Sequence, residues 1–86
     1  MTAAEIERVL REAFAPLQLE VHDDSAAHAG HAGAREGSHL RVLIVSPRFV
    51  GVPRLARHRL VYDALSTLMP RGIHALVIEA RAPGEP

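Results

Sequence analysis

Six histidines and no cysteine stand in this 86-residue chain, and that pairing limits the chemistry open to it. Neutral imidazole is a common metal ligand that titrates close to working pH, so histidines are the first candidates for a site. His28 and His31 lie three apart in an Ala- and Gly-rich stretch, a spacing that suits a metal but is a weak signal by itself. His74 follows a Pro-Arg-Gly stop and opens an apolar run, where its ring could face a groove between helix and sheet. His58 sits between Arg57 and Arg59, one turn before Val61, which predicts a partly buried ring at the edge of the core with the two arginines splayed to either side. His22 is expected on the polar side of a strand, and His39 at the start of another. The absence of cysteine removes disulfides, thiol catalysis and any thiolate metal site made by this chain alone.

The elements that must position these residues are legible in outline. Thr2 and Glu5 have capping-box spacing, and Ile6, Val9, Leu10, Ala13 and Phe14 then recur on one helical face until Pro16 ends it. Leu19 to Asp23 alternates apolar and polar, as a strand with one buried face does. Asp24 to His39 has no period and reads as a long loop, a feature often functional in compact domains. Leu40 to Ser46 is β-branched and apolar on both faces apart from Arg41, which suits a central strand. Gly51 permits a turn, Pro53 suits the first turn of a helix running from about Arg54 to Met69, and Ile73 to Ala80 forms the last strand.

The order helix, strand, strand, helix, strand implies a two-layer α/β domain over residues 1–82, with a three-stranded mixed sheet and both helices on one face. The first two strands pair antiparallel, and the helical crossover makes the last strand parallel to its neighbour. The expected core is Ile6, Leu10, Phe14, Val42, Ile44, Val61, Leu65, Leu68 and Val77, and residues 83–86 are expected to form a frayed, flexible tail.

No catalytic set emerges. Ser25, Ser38, Ser46 and Ser66 stand outside any nucleophile-elbow pattern, and the glycines make no phosphate-binding fingerprint, so an enzyme is not expected. No apolar run approaches the roughly 20 residues of a membrane span, and the acidic-amphipathic start is unlike a signal peptide, so a cytoplasmic protein is expected. Positive and negative residues balance at ten each, which lowers the expectation of nucleic-acid binding. Arg48, Arg54, Arg57, His58 and Arg59 nevertheless form a local cationic group that could meet DNA or remain a solvated helix start.

The spacing F-x-G at 49–51, R-H-R-x-V-Y-x-x-L at 57–65 and H-A-L at 74–76 resembles the BolA family. So do L-E-V-x-D-x-S at 19–25, H-A-G-H-A-G-A at 28–34, S-H-L-R-V at 38–42 and I-V-S at 44–46; the likeness covers nearly the whole chain. The resemblance implies a class II KH-like α/β fold. It also implies a partner, a monothiol glutaredoxin with which a [2Fe–2S] cluster is shared, and for some members DNA-binding regulation. Carried over by position, the ligands would be His28 and His74, with His31 as the alternate loop ligand. Two histidines on one iron have a precedent in Rieske centres, and a chain without thiolates needs its partner, with bound glutathione, to complete the set. Alone, the protein is expected to hold no cluster and to be a monomer or a weak homodimer. A Gly-x-x-Gly backbone clamp is missing at residues 51–54, which weighs against KH-type nucleic-acid binding.

Overall fold

The computed structural model describes residues 3–23, 38–66, 68 and 73–86. It comprises helix α1 (Ala3–Phe14), strand β1 (Gln18–Asp23), strand β2 (Ser38–Val45), a 3₁₀ turn (Pro47–Phe49), helix α2 (Arg54–Ala64) and strand β3 (Ile73–Arg81). The sheet order is β1-β2-β3, with β1 antiparallel and β3 parallel to the central β2. Fold class and topology are those expected from the pattern.

Periodicity explains α1. Ile6, Leu10 and Phe14 repeat every fourth residue and are buried, while Arg11 pairs with Glu7 on the wet side at 2.8 Å. Ala15 takes a left-handed conformation at φ 43°, and its N–H donates to Arg11 O at 3.0 Å, closing the helix before Pro16.

The sheet sorts its faces by register. Leu19, Ile44 and Ala80 align across the three strands, as do Val21, Val42 and Ile78, and these rows face the helices. The alternate rows, Glu20–Leu43–Glu79 and His22–Arg41–Val77, lie on the other face. Val77 therefore belongs to the open face, 51% exposed, and the expected core position passes to Ile78 at 8%. Consecutive apolar residues Leu76, Val77 and Ile78 leave the parity open locally; the polar Glu79 fixes it, because side chains two apart share a face.

Val61 and Leu65 carry the inner side of α2 into the same core. The helix stops at Ala64 rather than near Met69; Leu65 caps it, and a turn bond from Leu68 N to Leu65 O at 2.9 Å lets Leu68 pack half-buried against the core. Pro53 is the residue before the helix, in extended conformation, rather than part of its first turn. Gly51 sits at φ 74°, the left-handed region in which glycine is favoured, and so turns the chain into α2.

Ser46 knits three elements together. Its buried hydroxyl donates to Phe14 O at 2.8 Å and accepts from Arg48 N at 3.1 Å, while its N–H donates to Arg81 O at 2.9 Å. The ring of Phe49, delivered by the 3₁₀ turn, lies 5.3 Å from that of Phe14.

Candidate metal centre and cationic face

β1 ends at Asp23, opposite Leu40, and β2 begins at Ser38, opposite Ile73 of β3. The connection that carries His28 and His31 thus leaves and re-enters the sheet at the end where β3 starts, and His74 is the second residue of β3. A register shift between Ser38 and His39 falls at the same place, so the backbone there is irregular. His28 and His31 themselves lie outside the described residues. Among the described residues, no group of three or more His, Cys, Asp or Glu could hold a metal ion. Two imidazoles suit part of a coordination sphere and need ligands from elsewhere for the rest.

The remaining histidines separate by environment. His22 is exposed on the open sheet face with Nε2 3.3 Å from Glu20 Oε1. Gln18 and His22 together hold the Glu20 carboxyl below its usual range. His58 is exposed, not at the core edge. Arg57 takes that place instead, because residues 57, 61 and 65 are one turn apart and share the inner stripe.

Among the described residues, Arg57 is the buried charged side chain, 8% exposed. Its Nε donates to Val52 O at 2.6 Å and its Nη1 to Ala80 O at 3.1 Å. The two Nη atoms meet both oxygens of Glu85 at 2.5 and 2.9 Å. Glu85 also accepts from Ala82 N at 2.9 Å. The tail expected to fray is therefore tied back across 28 residues of sequence. Arg57 and the Ala82 amide hold the Glu85 carboxyl at about 2, well below its usual range. With four of its five N–H donors engaged within the fold and its side chain buried, Arg57 does not present itself to a nucleic acid; of the five cationic candidates Arg48, Arg54, His58 and Arg59 remain exposed.

Arg54 and His58, one turn apart, line a groove of about 320 Å³ against β3, completed by Ile78, Glu79, Ala80 and Arg81. An adjoining recess shares Arg54, Ala80 and Arg81 and runs on to Arg57 and Glu85. Pattern reading did not reveal this groove or the Glu85 contact. The 57–61–65 spacing could have shown that Arg57 faces inward, but nothing local names its partner.

A family profile described as BolA-like protein matches residues 10–85. The chain belongs to the BolA-like family. It is 49% identical over 84 residues to an uncharacterized protein in the cobS 5′ region of Sinorhizobium, covering 94% of this chain and 90% of that protein. The DNA-binding transcriptional regulator BolA of Escherichia coli is 42% identical over 78 residues, 91% of this chain and 72% of the regulator. Among solved structures, the BolA domain of SufE1 from Arabidopsis thaliana superposes with a TM-score of 0.82 at 42% identity, covering 98% of this chain and 94% of that one. BolA-like protein 1 of mouse is 43% identical over 82 residues, and the chain spans 58% of its length. BolA-like relatives are thus named as regulators or as domains of larger proteins. No helix among the described residues is long and apolar enough to cross a membrane.

Proposed function

We propose that this chain is a non-enzymatic, cytoplasmic BolA-like accessory protein for iron–sulfur cluster trafficking or iron regulation. It pairs with a monothiol glutaredoxin and shares a [2Fe–2S] cluster through His74 and His28, with His31 as the alternate loop ligand. The observation that carries the reading is the strand geometry: the ends of the His28 connection and the start of β3 meet at one end of the sheet. Lack of cysteine supports sharing over self-sufficiency, since the partner and its glutathione must supply the other ligands. Imidazole ligation raises the reduction potential of such a cluster. This chain's own part is to hold two neutral imidazoles at that end of the sheet and to offer a docking face around them. The test is titration of the protein with cluster-loaded monothiol glutaredoxin and glutathione, followed by visible circular dichroism. A heterodimer with an altered spectrum is expected, and none from the protein alone.

A second reading, DNA-binding regulation, is favoured by the name of the Escherichia coli relative, a DNA-binding transcriptional regulator, and by the exposed Arg48, Arg54 and Arg59. The balanced charge weighs against it. Duplex DNA titrated over a salt series distinguishes the two: nanomolar affinity with a steep salt slope would replace the first reading.

A further inference from the structure

β3 is an edge strand, paired only with β2 among the described residues. The bond from Ser46 N to Arg81 O shows that Arg81 points its backbone toward β2. Alternation then turns the N–H and C=O of Ile78 and Ala80 outward, away from the sheet. Arg57 occupies one of these groups, Ala80 O, from the side of α2. The rest of the outward edge at Ile78 and Ala80 forms the floor of the groove whose wall is Arg54 and His58. An edge strand beside a helix, with open main-chain groups between them, is the geometry in which an extended peptide adds a strand.

Charge selects the peptide. Arg54, His58 and Arg81 line the groove against a single acid, Glu79, which Arg81 already meets at 3.0 Å. The next recess along the same edge already receives a carboxylate, that of Glu85, on Arg57. From these observations we infer that the groove between α2 and β3 docks an extended acidic segment of a partner protein, added as a further strand along Ile78 and Ala80. Main-chain bonds supply the attachment, and acidic side chains at alternate positions meet Arg54 and His58. A nucleic acid would use the same cations but not the outward amides as a ladder.

The experiment uses the full chain, isotopically labelled, and an acetylated, amidated eight-residue peptide alternating glutamate and valine. Binding is expected to slow hydrogen exchange of the Ile78 and Ala80 amides. A lysine-for-glutamate peptide should bind at least about tenfold more weakly, a difference of about 1.4 kcal/mol. N-methylation of the set of alternate peptide amides that faces β3 should remove binding, and N-methylation of the other set should leave it. Arg54→Glu combined with His58→Glu, both at exposed positions, should weaken binding of the glutamate peptide by at least about tenfold while the folded spectrum is kept. The inference is overturned if the lysine peptide binds equally well or if neither alternate set of N-methyl groups weakens binding. It is equally overturned if exchange of the Ile78 amide is unchanged at millimolar peptide, or if a single-stranded oligonucleotide binds this groove in preference to the peptide.

Discussion

Arg57 and Glu85 stand 28 residues apart and form a two-toothed ion pair that closes the end of β3 against the start of α2. Because Arg57 is buried and also holds Val52 O and Ala80 O, cutting it back strands two carbonyls and a carboxylate together. Arg57→Met should therefore lower the melting temperature clearly, whereas Arg59→Met, at an exposed position of α2, should leave it nearly unchanged. Equal, small shifts for the two variants in thermal denaturation would show that the pair does not hold the fold.

Acid should open this contact in a defined window. Glu85 is held at about 2 in the folded protein, against an ordinary 4.5, so its carboxylate binds protons less readily when folded. Its stabilising contribution is then complete above about 4.5 and disappears as pH falls toward about 2. Wild type and Glu85→Gln should differ in urea stability at pH 6 and converge near pH 2. A difference that is constant across that range would show the carboxylate is not the group responsible.

Two apolar residues of neighbouring elements should respond very differently to truncation. Leu65 is fully buried where α2 ends, and Leu65→Ala should cost about 2–5 kcal/mol, a large part of a small domain's stability. Val77 is half exposed on the open sheet face, so Val77→Ala should cost less than about 1 kcal/mol, chiefly through strand propensity. Chemical denaturation of both variants checks this, and a larger loss for Val77→Ala would mean that the strand faces are reversed.

The ligand assignment makes a sharper demand on His74. With cluster-loaded glutaredoxin and glutathione, His74→Ala should lose the altered visible spectrum while far-ultraviolet circular dichroism stays that of wild type. His28→Ala should do the same unless His31 substitutes, in which case the double change is needed. A full wild-type spectrum from His74→Ala with the partner would remove His74 from the ligand set.

What the sequence revealed depended on whether a signal was local. The α1 stripe repeats one residue type on one face, and Ile6, Leu10 and Phe14 are buried as that spacing requires. In α2 the same reasoning went to the wrong neighbour: counting three residues back from Val61 gives His58, while counting four back gives Arg57, the one inside. Arginine is seldom buried, and only the remote Glu85 together with two backbone carbonyls makes it acceptable here. No periodicity in residues 83–86 announces that contact, since its cause lies in the tertiary path of the chain. Fold class and topology were readable because the crossover fixes strand direction. The two loop histidines lie outside the described residues, and their assignment rests on the family resemblance and on where the connection's ends meet.

The length of β3 sets how strongly its two ends can influence each other. From His74 to Ala80 is six residue steps, about 20 Å of extended chain, well beyond the 7–10 Å over which substitutions usually couple. A metal-sharing partner at one end and an acidic strand at the other could then be bound at once. Substitutions at His74 and at Arg54 should add in free energy rather than interact. A coupling between them would have to travel through the strand as a shift of register against β2, the one irregularity of which lies at Ser38 and His39, beside the histidine end.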